Sequence, residues 1–519
     1  METKEKRLLD SVHGYITIPE DICDYVIDTP YFQRLRRVEQ TSCRVLFPSA
    51  RHDRFIHSLG VYHLGEKIVK AVRKNCHDNL PENFDDRAKN YLIACLLHDV
   101  SHTPFSHTFE DYYDNKSNAL KVTLEQKVNT KIFTEDWKDR EWNSAPHEIM
   151  SAIMAITCFP NYVKAPDYDM EFIARMIVGC NYSDPAKSFE NAFVELLHSK
   201  VLDADGLDYA CRDAAMAGYS TNNIDVERLV AEIFIIKDAD DNDQYKVCFS
   251  NKAVNEIEAV LGVKHFQQYN VFAHHVVAYD QKLLEEAMKS AAYWHLHGVM
   301  SYDAQLRKRA LETLCNIKAF TAPCQFGSYN LPLLYPSDDD FVSLMKCFPN
   351  DYFIRQWLTR NYELQPLWKS KSEFKHLFGD TLGDISKDGV DLWVLSDDCK
   401  RFLCEQFNIE EYNVWILEPK LKDRFGSTSE LQIYIDGKVK KYETLYPKGR
   451  MHFNDLGEQF KFIYIPKNIE KEVVIKALIE EQAKNKVELS CFKKVLLKAG
   501  SFVKQMIMKY IIERYNDEE

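Results

Sequence analysis

The sequence predicts a mainly α protein in two parts, an all-helical core over residues 1–330 and an α+β lobe over 331–519. Three observations carry this expectation. The chain has 519 residues, more than the roughly 250–300 at which a single hydrophobic core stops growing. Its first part spaces apolar residues at the helical period, whereas beyond about residue 330 short alternating runs bounded by turn residues take over. At 45% hydrophobic and 28% charged residues, the composition is that of a folded globular chain.

Residues 12–220 read as mostly helical. Arg54–Arg73 places His57, Val61, Leu64, Ile68 and Ala71 on one helical face, so His57 points inward. Ala88–Ser101 is apolar nearly all round and delivers His98 and Asp99 at its end, with Pro104 expected to close it. Helical patterns continue over His147–Phe159, Met170–Val178 and, after the Asp184-Pro185 loop, Phe189–Ala217, read as one helix. They resume over Val254–Leu261 and from Tyr269 to about Ala319. Pro332, Pro336 and Ser337 followed by three aspartates mark the boundary. Strand-like runs follow at Val414–Leu417, Leu431–Ile435, Lys438–Leu445 and Phe460–Ile465, with Asp436-Gly437 as a hairpin turn. Helices over Glu470–Lys484 and Val487–Tyr515 close the lobe.

Fourteen cysteines without a CxxC pair read as buried free thiols. The formal charge of -13 gives no general attraction to nucleic acid phosphates. No apolar run approaches the ~20 residues that span a bilayer, and the opening residues lack a signal-like stretch, so a cytoplasmic protein without a membrane partner is expected.

The chemistry concentrates in His98-Asp99-Val-Ser-His102-Thr-Pro-Phe-Ser-His107, with His57 upstream and Asp203-Ala-Asp205-Gly-Leu-Asp208-Tyr209 downstream. Three histidines within ten residues, an acidic neighbour and an inward histidine call for a metal or an anionic ligand, and a divalent ion removes the several kcal/mol that an uncompensated buried carboxylate costs. Mixed imidazole and carboxylate donors suit Fe, Mn, Mg or Zn; the donor set does not name the metal. Asp203, Asp205 and Asp208 compete for the fourth ligand. Asp205, Asp208, Tyr209, Arg212 and Asp213 share one helical stripe, a charged face that points to a site.

Alongside these residues stand Asp10-Ser-Val-His13-Gly14, Asp28-Thr-Pro-Tyr-Phe-Gln33-Arg34-Leu-Arg36 and His52-Asp-Arg54-Phe-Ile-His57-Ser-Leu-Gly60. Together they resemble the HD-domain deoxynucleoside triphosphate triphosphohydrolases, densely over residues 10–110 and again at Asp203–Asp213. The resemblance implies an HD-domain phosphohydrolase core with His57, His98, Asp99 and Asp205 on the metal. It implies substrate contacts from Gln40, Arg54, Asp208, Tyr209, Asp213 and His274. His102, His107 and His147 match active-site histidines, His107 as the proton donor oriented by Glu110. The implied reaction releases a deoxynucleoside and inorganic triphosphate. Lys6, Asp28, Gln33 and Arg36 match positions that read a nucleotide activator between subunits, which implies a homotetramer.

The sequence departs from the family pattern at Gly206, where a lysine is usual, at Thr41 in place of a leucine, and at Phe272-Ala-His274-His275 in place of Tyr-x-His-Lys. These departures leave two alternatives in view. One is another HD-type nucleotide phosphohydrolase or phosphodiesterase. The other is a nucleotide-sensing or nucleic-acid-binding protein, to which the basic runs Lys438–Lys441 and Lys493-Lys494 are relevant.

Overall fold

The computed structural model describes residues 4–76, 80–112, 119–139, 144–161, 168–199, 201–219, 224–238, 241–314, 324–325, 332–333, 336–382, 393–418, 431–446 and 460–498. The chain divides into two compact units, residues 1–361 with 420–456, and 362–419 with 457–519. The expected boundary at 330 thus meets an observed division after Asn361.

The first unit opens with a hairpin of β1 (Glu5–Asp10) and β2 (Gly14–Pro19), in register from Glu5↔Pro19 to Asp10↔Gly14. Its alternation sends Ile16 and Ile18 into the core. The longer helices as far as residue 297 are α1 (Arg54–Asn75), α2 (Phe84–Leu97), α3 (Ala119–Val128), α4 (Lys131–Asp139), α5 (Pro146–Thr157), α6 (Met170–Val178), α7 (Ser188–Leu197), α8 (Ala204–Ala217), α9 (Val254–Phe266) and α10 (His275–His297). Between α8 and α9 lies a second antiparallel pair, β3 (Ile233–Asp238) and β4 (Gln244–Ser250). The core is therefore mainly rather than wholly helical. Strands Gln432–Ile435 and Lys438–Lys441 return from later in the chain, the former parallel to β4. They meet at Asp436-Gly437, both at positive φ (54° and 76°), as a two-residue hairpin turn requires.

Three sequence expectations change. The helix carrying His98 ends through tight turns, Val100 N–H to Leu97 O and His102 N–H to Asp99 O, well before Pro104. The single helix over Phe189–Ala217 is two, α7 and α8, because Asp203 stops and restarts the chain: its Oδ1 accepts the Gly206 N–H at 2.6 Å as the N-cap of α8. The stretch from Tyr269 breaks at Gly298, left-handed at φ 69°, into α10 and α11 (Ala304–Leu314); residues 315–319 lie outside the described ones. α12 (Asp338–Lys346) and α13 (Tyr352–Thr359) pack against α10, which is why the compact division falls after them.

In the second unit Phe462–Pro466 lies between Leu364–Pro366 and Trp415–Leu417 in an antiparallel sheet. Helices Lys371–Leu382, Asp397–Phe407 and Lys471–Lys498 accompany it. Fully buried Trp368 packs on Phe374 and Phe378. The expected pair of closing helices is one helix as far as Lys498; residues 499–519 lie outside the described ones. The architecture is mainly α, with a helical core and an α+β lobe. Among the described residues no helix is long and apolar enough to cross a membrane.

Candidate active site

α1, α2 and α8 bring four acceptor atoms together. His57 Nε2 lies 3.0 Å from Asp205 Oδ1 and 3.6 Å from Asp99 Oδ2. His98 Nε2 lies 3.3 Å from His57 Nε2, 3.5 Å from Asp99 Oδ2 and 3.7 Å from Asp205 Oδ1. Each element supplies its ligand by a local device. Asp53 caps α1 by accepting the Ile56 N–H at 3.0 Å, the end of α2 presents His98 and Asp99, and Asp203 starts α8 two residues before Asp205.

The partners of the histidines fix what they offer. His57 Nδ1 lies 2.7 Å from Asp208 Oδ2 and His98 Nδ1 lies 2.9 Å from Cys95 O. Neutral rings donating there turn both Nε2 lone pairs inward. Two imidazole nitrogens and two carboxylates then converge, an arrangement suited to a divalent cation. Burial opposes protonation of His57, but the Asp205 and Asp208 carboxylates outweigh it and push the ring up to about 9. A metal ion and a proton therefore compete for this ring. Burial raises the Asp99 carboxyl, yet Arg54 and the surrounding histidines hold it well below the usual range. Asp205 is likewise held low, burial being outweighed by His57 and His98.

Asp208 stands behind His57. It is fully buried, and its two oxygens accept from His57, from Arg212 Nε and Nη2 at 2.8 and 2.9 Å, and from His13 Nε2 at 2.6 Å. Arg212 continues to Asp10 Oδ2 at 2.8 Å. Asp208 therefore orients the His57 ring from behind. His13 and Arg212 had signals in the sequence, one in the Asp10–Gly14 motif and the other on the charged stripe, but only the fold pairs them. Gly60 makes the packing possible, since a Cβ there would collide with the Asp208 carboxylate and the Arg212 guanidinium.

A second cluster adjoins the first. Glu110 Oε1 lies 2.6 Å from His107 Nδ1, 2.5 Å from His147 Nδ1 and 3.5 Å from His102 Nε2. His147 Nε2 stands 3.9 Å from Asp99 Oδ1, which joins the clusters. Burial and the neighbouring Arg54 keep His102 well below the usual histidine range; Glu110 overcomes burial to raise His147. The His102 and His147 rings stack with their centroids 4.3 Å apart. His107 is the most exposed of the three, its side chain 39% accessible.

Arg54 is buried, reaching Asp99 Oδ2 at 2.5 Å, Ser106 Oγ at 3.0 Å and Gln40 O at 3.2 Å. Gln40 Oε1 is buried without a hydrogen bond among the described residues. Asp213 pairs with His52 at 2.7 Å, and Lys264 Nζ lies 5.0 Å from the Tyr209 ring. A Cβ at 206 would collide with that same ammonium and lie 2.7 Å from Asp203 Oδ1, so a side chain beside Asp205 would require Lys264 to shift. His274 caps α10, its Nδ1 accepting the Val276 N–H at 3.2 Å. At the outer surface Lys6 Nζ pairs with Asp24 and Asp28, both at 3.1 Å. Arg36 donates to Gln33 Oε1 at 3.0 Å and lies over the Phe55 ring.

The model of the HD domain matches residues 54–155, the span holding His57, His98, Asp99 and the second cluster. The chain is 28% identical over 299 residues to an uncharacterized protein of Bacillus subtilis, YwfO, covering 57% of this chain and 58% of that one. It is 28% identical over 295 residues to the Dictyostelium discoideum deoxynucleoside triphosphate triphosphohydrolase SAMHD1 homolog, covering 55% and 49%, and 29% identical over 297 residues to Gallus gallus SAMHD1, covering 54% and 45%. The matches span about half the length of these curated relatives. A phosphohydrolase structure from Bacteroides thetaiotaomicron superposes with a TM-score of 0.58 at 19% identity, covering 89% of this chain and all of that one. The chain is thus similar to the HD-domain deoxynucleoside triphosphate triphosphohydrolases and shares the fold of an HD phosphohydrolase.

Proposed function

We propose that the protein is a metal-dependent deoxynucleoside triphosphate triphosphohydrolase, releasing a deoxynucleoside and inorganic triphosphate. The coarser part, a hydrolase of the HD type, has the support of the HD-domain match and the similar proteins. The observation that carries the proposal is the adjacency of two clusters, acceptors converging at His57, His98, Asp99 and Asp205 and an imidazole–carboxylate pair at His107 and Glu110.

In this reading the four acceptors hold a divalent cation, Fe, Mn, Mg or Zn. When bound, such an ion lowers the pKa of water and neutralises charge on phosphoryl oxygens. The protein's own groups supply the rest. Asp208 keeps the His57 ring in one tautomer and orientation. Arg54 brings a guanidinium beside Asp99, where a phosphate would lie. Glu110 holds His107 at Nδ1 so that Nε2 can carry a proton to the departing 5′-oxygen. Gln40 has a buried amide oxygen free to accept from a sugar hydroxyl, with Tyr209, Asp213 and His274 around the same substrate. The same reading gives Lys6, Asp28, Gln33 and Arg36 to a nucleotide activator at an interface of a homotetramer, in the cytoplasm.

Incubating the purified protein with Mn²⁺ or Mg²⁺ and each dNTP, alone and in mixtures, and resolving products by ion-pair chromatography tests the proposal. Triphosphate and deoxynucleoside in equal amounts are expected. Diphosphate or monophosphate products would transfer the protein to another HD-type phosphohydrolase activity, and inertness toward every mixture would overturn the reading.

A further inference from the structure

We infer that Asp338, far from the metal ligands in sequence, is a positioning residue that sets the proton donor through the loop preceding it. The inference rests on the proposed role of His107. The chain between Thr103 and His107 makes an unusual turn, with Phe105 and Ser106 both left-handed at φ 54° and 53°. Neither is glycine, and such a conformation persists only when surrounding groups impose it. Following that turn, His107 and Glu110 face His102 and His147.

Asp338 does the imposing. It stands at the start of α12, only 6% exposed, and its two oxygens accept two backbone N–H groups from separate loops. Oδ1 takes Phe105 N–H at 2.7 Å and Oδ2 takes Glu39 N–H at 2.9 Å. One oxygen thus pins the strained residue itself, and the other pins the residue before Gln40. Arg34 reinforces the join, donating to Pro336 O at 2.9 Å and to His102 O at 2.6 Å. Ser106 is tied by its hydroxyl to Glu39 O and by Arg54 Nε at 3.0 Å. The Phe105 ring lies edge-on to Trp357 of α13. Among the described residues Asp338 makes no hydrogen bond or ion pair with either cluster, so any effect it has on turnover must pass through the loops it holds.

The test is a double-mutant cycle of Asp338→Ala with His107→Ala, measured on the full Mn²⁺-loaded chain with dNTP mixtures. Alone, Asp338→Ala is expected to lower kcat about 10- to 100-fold with KM nearly unchanged, the scale on which misplacing a reacting group acts. Bound metal should be unchanged by elemental analysis. In the His107→Ala background the same substitution should cost less than about twofold, because the group it places is gone. Asp338→Asn, which keeps one acceptor oxygen, should fall between and provides the measurement if the alanine variant does not fold. Equal losses in both backgrounds, or wild-type kcat in both Asp338 variants while His107→Ala is crippled, would overturn the inference. Full activity of His107→Ala would instead sink the proton-donor reading and the inference with it.

Discussion

At the scale of single residues, the site is organised by what stands behind the ligands as much as by the ligands. Asp208 is bonded to His57, His13 and Arg212 at once. Removing it would free the His57 ring and take a carboxylate partner from the buried Arg212 guanidinium and the His13 ring. Asp208→Ala is expected to weaken Mn²⁺ binding by roughly 10- to 100-fold, read by calorimetry; unchanged affinity would return Asp208 to the substrate role first expected of it. His57 gives a second prediction. Without metal its ring is raised to about 9, above the ~6.5 of an unfolded histidine, so the stabilisation it contributes is fully present below about 6.5 and lost as pH rises through 9. Metal binding must displace that proton. Mn²⁺ affinity should therefore climb with pH from 6.5 toward 9 with release of about one proton per ion, and the melting temperature of metal-free protein should fall over the same window. Affinity independent of pH there would remove His57 from the ligand set. His57, His98 and Asp99 follow as candidate ligands from residue type and helical phase alone. Asp205 needs the family resemblance, since the stripe that contains it also contains Asp208, and spacing cannot say which carboxylate faces the histidine cluster and which faces Arg212.

At the scale of elements, the legible helices were those whose burial repeats at their own period. Met170–Val178 matches α6 residue for residue, and Arg54–Arg73 differs from α1 only at its end. The break between α7 and α8 was missed because Asp203 was weighed as a ligand, when its side chain is spent on the Gly206 and Ser199 N–H groups. The β1–β2 hairpin hid inside a motif read for chemistry: Asp10 Oδ1 accepts the Val12 and His13 N–H groups at 2.7 Å, so the turn that reverses the chain also delivers His13 to Asp208. The contact between α1 and α8 depends on Gly60. Gly60→Ala keeps helix propensity favourable yet drives a methyl into a buried ion pair. Overpacking of this kind costs about 1–3 kcal/mol, so a fall of several degrees in melting temperature together with weaker metal binding is expected. A stabilised variant would show that α1 and α8 can separate at no cost.

At the scale of the molecule, the chain's own order misleads about its division. The texture change near residue 330 is real, but α12 and α13 beyond it belong with the helical unit, and Asp338 of α12 holds the loop that presents His107. Nor does the second unit keep all that follows Asn361. Residues 420–456 return to the first unit, where Gln432–Ile435 covers the edge of β4 and buries Leu431, Ile433 and Tyr442 in the same core as α1 and α2. Sequence periodicity finds these strands and their turn, but it cannot say which sheet they join, because the pairing with β4 spans nearly two hundred residues and a parallel neighbour leaves no local signal. The consequence is measurable. A chain ending at residue 361 would leave β4 with an open, apolar edge and forfeit roughly 1.5–3 kcal/mol for each of those three side chains. It should aggregate or melt well below the full chain, whereas residues 1–361 joined by a short linker to 420–456 should recover most of the loss. If the two pieces melt alike in circular dichroism, the returning strands are dispensable to the unit that carries the site.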